Sequence, residues 1–418
     1  MNPSVRTTLI LSLYLPSFLL AFGSGMLIPV LPLYARSFDI SYAMVGLVLA
    51  SQSIGNLLGD VPSGVMMGRL GQRWSMTLGL AVLGGTTIAM GLARSVPELI
   101  MYSFLGGLGM ALWNISRHAY MTNAIPLALR GRATATFGGI NRIGVFAAPA
   151  IGGILGTAFG MRLPFYLYGG LVFAALAVVA LFSSDADEEV QVTHGGFVET
   201  ASNLGRVFRE HHRTLIPAGI AMFLGTMIRS GRRVVIPLYA ADIVGLDLDQ
   251  IGLIVTLSAA IDMSMFYLAG VLMDRYGRKF ASVPSFAIQG LGMALVPLAF
   301  SFGTLLLATL VIGFGNGIGS GTMLTLGSDL APTESMGEFL GMWRLIGDTG
   351  QTGAPLVIGA IADALSLSMA TLAIAASGLG AAAVLAFFVP ETRPGHEAPA
   401  PAGAWFASLR AQFGGKNG

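Results

Sequence analysis

Twelve long apolar stretches dominate this sequence and limit what it can fold into. Each is close to the ~20 residues that a helix needs to cross the hydrocarbon core of a bilayer. Only 11% of the 418 residues are charged, whereas a typical soluble domain has about 25%. The chain therefore has too little polar surface for a soluble protein of this size, and we predict an all-α membrane protein. The approximate limits of the stretches, spans 1 to 12, are 8–35, 41–67, 74–93, 97–122, 131–158, 163–183, 214–241, 249–273, 279–300, 303–327, 337–361 and 366–389.

The composition also excludes several classes of function. The chain has no cysteine, which rules out disulfides, thiol catalysis and cysteine-ligated metals. Its five histidines form no HExxH-like pair, and no GxxxxGK(S/T) phosphate-binding loop occurs. We therefore predict that the protein is not an enzyme and that it holds no metal and no cofactor.

Lysine and arginine in the loops predict the orientation of the chain. If the N-terminus is cytoplasmic, fourteen of these residues lie on the cytoplasmic side and only Arg36, Arg94 and Arg162 lie opposite. Cytoplasmic loops normally carry such an excess of positive charge. We predict that both termini are cytoplasmic. The compact loops and the lack of an organelle-targeting segment favour a prokaryotic inner (plasma) membrane.

The two halves of the chain repeat each other. A shift of 206 residues places Gly46 on Gly252 and Pro149 on Pro355, and this register holds across four helices. Parallel halves of six spans are typical of one large class of transporters, in which the substrate site lies between the halves. The predicted parts are an N-terminal six-helix bundle (1–183), a cytoplasmic linker (184–213), a C-terminal six-helix bundle (214–390) and a cytoplasmic tail (391–418).

A glycine-rich loop motif follows span 2 and span 8. The second copy reads Gly270-Val-Leu-Met-Asp274-Arg275-Tyr-Gly277-Arg278-Lys279, and the first reads Gly64-Val-Met-Met-Gly68-Arg69-Leu-Gly71-Gln72-Arg73. Both resemble the GxxxD(R/K)xG(R/K)(R/K) signature of the major facilitator superfamily, and the resemblance covers nearly the whole chain. It implies two pseudo-symmetric six-helix bundles and a latch on the cytoplasmic side. The implied latch residues are Gly270, Asp274, Arg275, Gly277, Arg278, Gly64, Arg69 and Gly71, with Gly68 standing in place of the family's aspartate.

Span 5 carries a second element of this kind. Gly144, Pro149, Gly152 and Gly153 resemble the GxxxGPxxGG element of the superfamily's drug:proton antiporters, with Ala148 replacing one glycine. The resemblance implies efflux, although close packing of small residues between helices would use the same residue types. Span 4 departs from the antiporter pattern RxxQGxG, because Ser103 occupies the place of the arginine implicated in proton coupling.

Ionisable residues at membrane depth are costly and usually face a partner or a cavity. Arg142 and Asp262 lie at matched depth on spans 5 and 8, and Asp60 and Arg344 do so on spans 2 and 11. In the superfamily these spans meet across the halves. Our hypothesis is that both pairs bridge the halves when the cytoplasmic side is closed. The alternatives are local pairs, Arg344 with Asp348 on its own helix and Asp262 with an arginine of span 7.

Arg229, Arg232 and Arg233 share one face of span 7. They are predicted to give a cavity a positive lining for an anionic or polar group. The alternative is one structural ion pair, with the other side chains reaching the interface. Further candidates for the cavity are Asn141, Trp113, Asn316 and Gln351. Proton coupling requires a carboxylate whose pKa changes as access alternates, and the candidates, in order, are Asp262, Asp60 and Asp348.

These features together predict a secondary transporter that works by alternating access. The leading function is proton-coupled export of amphiphilic organic compounds, including anionic ones. One alternative is uniport or symport of a small polar metabolite such as a sugar or an organic acid, and another is a membrane receptor that transports nothing. The predicted partners are a small-molecule substrate, protons or another coupling ion, and the lipid bilayer. Nucleic acid is excluded as a partner, and the chain is predicted to be a monomer.

Overall fold

The computed structural model describes residues 10–125, 127–183 and 197–392, and within these residues all regular structure is helical. We number the helices α1 to α12 after the predicted spans. A π-helical turn, Ile10–Tyr14, precedes α1. The bounds are α1 Leu15–Arg36, α2 Tyr42–Leu70, α3 Gln72–Leu92, α4 Val96–Ala124, α5 Leu127–Phe159, α6 Leu163–Phe182, α7 Phe197–Tyr239, α8 Leu248–Ser264 with Phe266–Tyr276, α9 Arg278–Leu295, α10 Phe302–Ile318 with Thr322–Leu330, α11 Met336–Ala364 and α12 Leu367–Phe387.

Eleven helical stretches are long and apolar enough to cross a membrane. The remaining helix is α11. It has 29 residues, as many as α2, but it is less apolar because it carries Glu338, Arg344, Asp348 and Asp363. Its small residues still bury it against α2 and α7. The predicted all-helical membrane fold is thus confirmed, and the polarity of α11 reflects its place between the two halves.

The stretch that the sequence assigned to a linker is largely helical. Helix α7 begins at Phe197 and continues to Tyr239, so the predicted boundary between residues 213 and 214 falls inside one helix. The error arose because charged residues after residue 205 end the apolar pattern without breaking the helix. Residues 184–196, like most of the predicted tail after residue 392, lie outside the described residues.

The first six helices pack mainly against one another, and so do the last six. In the first half α4 contacts α2 and α3, and α1 contacts α5 and α6; in the second half α7 contacts α11 and α12, and α10 contacts α8 and α9. Two broad contacts join the halves, α5 with α8 and α2 with α11. Each set of six helices thus makes most of its helix–helix contacts within itself.

The two contacts between halves are close at one end of the bundle. We call the end where α6 stops and α7 starts the linker side, and the opposite end the far side. Near the far side, any side chain at Gly252 would overlap the carbonyl of Pro149, and any side chain at Gly46 would overlap that of Pro355. These two contacts are equivalent under the 206-residue repeat. Backbones can approach this closely only at glycine, as in membrane helix pairs generally.

Towards the linker side the same four helices lack such close glycine contacts. Several glycines near the linker-side ends of α2, α5, α8 and α11 have empty space beside them: a Cβ placed on any of them would have no neighbouring atom within 4 Å. They include Gly64, Gly138, Gly270 and Gly341. The close backbone contacts between the halves therefore lie at the far side, and these glycines near the linker side have open space around them.

This difference predicts unequal effects of one substitution at two places on α8. Gly252→Val should destabilise the protein by about 2 kcal/mol more than Gly270→Val, because overpacking against backbone typically costs about 1–3 kcal/mol and Gly270 has open space around it. Thermal unfolding of both purified variants in detergent measures the difference. Both changes place the same β-branched residue in a helix, so equal losses of stability would contradict the packing described here.

Candidate functional site

A cavity of ≈290 Å³ lies between the two halves, near the middle of the helices. Residues from α1, α5, α7, α8 and α10 line it. Apolar side chains such as Ile28, Phe146 and Val255 form much of the wall. The polar and charged lining residues are Asn141, Arg142, Arg232, Arg233, Ser258, Asp262, Thr309 and Asn316. An apolar cavity with a few convergent polar groups is the usual form of a small-molecule site.

Asp262 is the only carboxylate among the lining residues, and three groups contact it. Its Oδ2 accepts a hydrogen bond from Asn316 Nδ2 at 2.6 Å and lies 3.5 Å from an Arg232 guanidinium nitrogen. Its Oδ1 lies 3.8 Å from Arg142 but accepts no hydrogen bond within the described residues, although it is buried. Asp262 thus joins α5 of one half to α7 and α10 of the other, and one of its oxygens accepts no hydrogen bond from the described residues.

The two partners of Asp262 differ in their other contacts. Arg142 also donates to the hydroxyl of Ser320 and stacks on Phe266, with 4.6 Å from its guanidinium carbon to the ring centre. Ser320 lies in the break of α10, and Phe266 follows the break of α8 at Met265. The sequence analysis did not detect these breaks, because neither contains proline. Broken helices at mid-membrane commonly contribute polar groups to transporter sites.

Arg233 is the exposed cation of the cavity. It forms no hydrogen bond or ion pair with any residue that the structure describes, yet it lines the cavity near the middle of the protein. With Arg142, Arg232 and Asp262, the lining holds three positive groups and one negative group. A guanidinium without a hydrogen-bond or ion-pair partner, beside the apolar wall of a cavity, favours an incoming carboxylate, sulfate or phosphate, which it can bind in bidentate fashion.

Arg229 does not line this cavity, contrary to the sequence-based prediction. It donates to the carbonyl of Gly319 at 3.1 Å and lies over the ring of Phe286, 5.0 Å from the ring centre. One helical turn separates it from Arg233, and at its level α7 packs against α9 and the break of α10. The three arginines share a face, but only two of them reach the cavity.

Of the other residues predicted to line the cavity, some line it and others lie elsewhere. Asn141 and Asn316 line the cavity, and Asn141 also donates to the carbonyl of Phe137 at 3.0 Å. Trp113 is only 2% exposed and belongs to the hydrophobic core, so its predicted place in the cavity is wrong. Its indole is large and apolar, which suits a buried position on α4. Gln351 is exposed and lines a different, smaller cavity.

Asp60, Arg344 and Asp348 form a second group of charges between the halves. Arg344 lies 3.4 Å from Asp60 on α2 and 3.5 Å from Asp348 on its own helix. The cross-half pair and the local pair, which the sequence left as alternatives, are therefore both present. The hypothesis placed the cross-half pair in a state closed at the cytoplasmic side, whereas here it forms in a structure whose close contacts between the halves lie at the far side. The Arg344 side chain is 53% exposed, so each pair is worth little on its own.

The antiporter-like element packs α5 against two helices. Gly144 and Gly152 lie against Ala21 and Met26 of α1, whereas Gly153 and Pro149 lie against the start of α8. The element therefore forms close helix contacts on both sides of the cavity. This geometry explains its small residues without assigning them a direction of transport.

The predicted latch residues lie in tight turns at the linker side. Gly71 and Gly277 have φ of 81° and 114°, a conformation that favours glycine. Asp274 is 85% exposed, and its carboxylate lies 3.8 Å from Arg278 at the start of α9. Arg275 stacks on Tyr276, 5.6 Å from the ring centre. Within the described residues Asp274 thus pairs with no helix other than α9, and Arg69 of the first copy is exposed.

Two acidic residues that the sequence analysis missed secure the second loop. Asp329 at the end of α10 lies 2.7 Å from Arg278 Nε. Glu391 accepts hydrogen bonds from the backbone nitrogens of Arg278 and Lys279, at 2.8 and 3.0 Å. A carboxylate placed at the first turn of α9 caps the helix and offsets its dipole.

The far side is closed by polar contacts that the sequence analysis also missed. Asp363, at the end of α11, accepts hydrogen bonds from the backbone nitrogens of Tyr42 and Ala43 at 2.8 and 2.9 Å, and so caps α2. Asp242 accepts from the Tyr42 hydroxyl at 2.7 Å and pairs with Arg36 at 3.3 Å. Each contact joins the two halves.

The same far-side arrangement occurs in the pseudo-symmetric place. Thr157, at the end of α5, accepts a hydrogen bond from the backbone nitrogen of Asp249 at 3.1 Å, near the start of α8. Thr157 and Asp363 are 206 residues apart, as are Arg36 and Asp242. The repeat was therefore the signal that could have found this closure.

Comparisons with known proteins agree with this architecture. A family model described as Major Facilitator Superfamily matches residues 13–348 and again residues 218–415. An uncharacterized MFS-type transporter of Methanocaldococcus jannaschii is 22% identical over 358 residues, covering 85% of this chain and 92% of that protein. Multidrug resistance protein 2 of Bacillus subtilis is 24% identical over 299 residues, covering 71% of this chain and 74% of that protein.

A solved structure shares the fold at low sequence identity. A variant of the nucleoside transporter NupG superposes with a TM-score of 0.74 and 14% identity, covering 91% of this chain and 99% of that chain. At this identity the likeness concerns the arrangement of the helices alone.

Proposed function

Because the chain belongs to the major facilitator superfamily, we propose that it moves amphiphilic organic anions across the membrane by alternating access, coupled to protons through Asp262. The family and the transporters that share its fold make it a multi-pass membrane transporter and not an enzyme. The observation that carries the proposal is the unpaired Arg233 in a largely apolar cavity between the halves. Apolar walls suit the hydrophobic part of such a substrate, and the arginines suit its anionic group.

The proposed location is the inner membrane of a prokaryotic cell, with the linker side in the cytoplasm. The supporting observation is the excess of lysine and arginine in the loops of that side. In this orientation the contacts of Asp363, Asp242 and Thr157 close the outward path. The proposed transporter acts as a monomer.

Asp262 is proposed as the residue that couples substrate to protons. As a carboxylate it lies within 4 Å of both Arg142 and Arg232, so it competes with a substrate anion for these two side chains. A proton on Oδ1, which faces Arg142 but accepts no hydrogen bond from any described residue, would remove the negative charge and release both arginines. Proton binding and substrate binding are therefore linked through one ion-pair network.

Export in exchange for protons is one proposed direction, supported by a relative that is named for multidrug resistance; it requires the proton and the substrate anion to occupy the site in alternation. Symport of an organic acid with a proton is the second candidate. It is favoured by the Asp262 network, since protonation of Asp262 strengthens anion binding and so favours movement of both in one direction.

The test is the pH change inside proteoliposomes when a substrate gradient is applied. We expect organic anions with an apolar body, and not lipophilic cations or sugars, to drive proton movement. The sign of the pH change distinguishes antiport from symport. Asp262→Asn should abolish proton movement while leaving downhill substrate flux, because the amide no longer titrates.

Asp39→Asn is the matched control, since Asp39 is exposed on the turn after α1 and asparagine accepts its positive φ of 55°. The control should behave as the unmodified protein. Proton movement that persists in Asp262→Asn would refute the assigned coupling residue. Flux of cations alone would refute the assigned substrate class.

A further inference from the structure

A second cavity, of ≈200 Å³, lies between α2, α4 and α11, and we propose that it binds a small monovalent cation. Seven of its eight lining residues are polar, and its carboxylate is Asp348. The same chemistry could come from a free alkali ion or from a primary ammonium group on a substrate. The proposed function makes no use of this cavity.

The repeat relates this cavity to the first one and inverts its charge. A shift of 206 residues places Arg142 on Asp348 and Asn56 on Asp262, and both members of each pair line their respective cavities. The position that supplies a guanidinium to the first cavity therefore supplies a carboxylate to the second. An anion suits the first cavity, and a cation suits its pseudo-symmetric counterpart.

Oxygen atoms without hydrogen-bond partners point to the same ligand. Asn56 Oδ1 and Thr352 Oγ1 are buried and have no partner within the described residues. Leaving buried polar atoms unsatisfied is unfavourable, and native structures generally avoid it. Amide, hydroxyl and carboxylate oxygens are the ligands that hard cations prefer, and Asn56, Thr352 and Asp348 supply one of each kind.

The electrostatics of the surroundings favour a single positive charge. Asp348 and Asp60 share one counter-ion, Arg344, at 3.5 and 3.4 Å. Within this group of three, two carboxylates face one guanidinium; the next cation, Arg117, donates to Asn114 Oδ1 at 3.4 Å on the α4 side of the cavity. At roughly 30 Å³ for each water molecule, the cavity holds a small ion together with several waters, which suits Na⁺ better than a bulky organic cation.

The cavity also lies where a bound ion could sense the movement of the halves. Asn56 and Asn114 belong to the first half, and Asp348 and Thr352 belong to the second. Opening of the far side would move these two sets relative to each other and change the ion's ligands. A role of this ion in energy coupling rests on the proposed function, whereas its binding does not.

The test is titration of the purified protein with Na⁺ at fixed pH, with NaCl replacing N-methyl-D-glucamine chloride at constant total salt. The readouts are tryptophan fluorescence, because Trp113 adjoins Asn114 and Trp343 lies on α11, and the midpoint of thermal unfolding. A ligand that binds only the folded protein raises that midpoint. We expect a saturable fluorescence change and a higher unfolding midpoint with Na⁺. A parallel titration with ethylammonium chloride distinguishes the ammonium source.

Thr352→Val should weaken binding roughly tenfold, since it removes one oxygen that contacts a charge, and Asp348→Asn should abolish it. Thr349→Val is the matched control, because Thr349 is exposed on the same helix and donates only to Ile346 of that helix. If Asp348→Asn does not fold, the effect of Thr352→Val on cation binding alone tests the proposed site. A saturable response to either cation that Thr352→Val weakens supports the site.

No saturable response to either cation, or an equal response in Thr352→Val, overturns the proposal. A response to pH alone also overturns it. The assay contains no substrate, so its failure leaves the role proposed for Asp262 unaffected. Failure of proton movement in proteoliposomes likewise leaves this site unaffected.

Discussion

Replacement of Arg233 by glutamine is expected to weaken transport of organic anions by about 10- to 100-fold. Arg233 lines the central cavity without any partner that the structure describes, so a bound anion would be its main contact. A hydrogen bond to a charged group contributes about 1.5–3 kcal/mol, and each 1.4 kcal/mol corresponds to a factor of about ten in affinity. The measurement is the concentration dependence of anion uptake into proteoliposomes.

Two further variants make this result specific. Arg233→Lys keeps the charge but loses the planar fork of the guanidinium, so it should recover part of the lost affinity. Arg94→Gln removes an arginine that is exposed at the far side and should leave uptake unchanged. If Arg233→Gln transports anions with the original affinity, the positive cavity is not the substrate site.

Joining α5 to α8 by a disulfide at the far side is expected to reduce transport to background. In a Thr157→Cys, Asp249→Cys double variant, the new thiols would replace side chains whose oxygens are 3.4 Å apart. Alternating access requires this end to open, and a disulfide would hold it closed. The chain contains no cysteine, so the engineered pair would be the sole source of thiols. Transport is measured after oxidation and again after reduction, which should restore it.

The controls follow from the asymmetry of the two ends. Each single cysteine variant should be unaffected by oxidant. A Gly64→Cys, Gly341→Cys pair lies on α2 and α11 near the linker side, and no other group lies close to either glycine; it should form no disulfide in this state. Full transport by a completely oxidised Thr157→Cys, Asp249→Cys protein would mean that this contact does not open during the cycle.

The apolar pattern of the chain was sufficient to predict the membrane class and the twelve helices. A bilayer admits only segments that satisfy their own backbone hydrogen bonds, so length and polarity alone predict helices. Two helices depart from this pattern. At α11 four charged residues weaken the apolar pattern, yet the sequence still predicted the span at 337–361. At α7 the charged residues of the predicted linker hid the continuation of the helix. The polarity of a segment indicates whether it contacts lipid, but it does not indicate where the helix ends.

The 206-residue repeat also relates pairs of residues that the sequence analysis did not single out. It relates Arg36 to Asp242 and Thr157 to Asp363, which close the far side in pairs. They do not stand out in the sequence because they lie at helix ends, where a charged or polar side chain costs little free energy. Their role becomes visible only when the halves are superposed.

The depth of a residue along its helix could be predicted from the sequence, but the residues that it contacts could not. Counting residues placed Arg142 level with Asp262, and the structure brings them to 3.8 Å. The same counting could not separate Arg229, which lies over Phe286, from Arg233, which reaches the cavity, because both share one face of α7. Nor could it show that Trp113 is core, or that Asn56 and Thr352 enclose a second cavity. Helical periodicity determines the direction of a side chain within its own helix, whereas its contacts depend on helices distant in the chain, and only their packing brings these residues together.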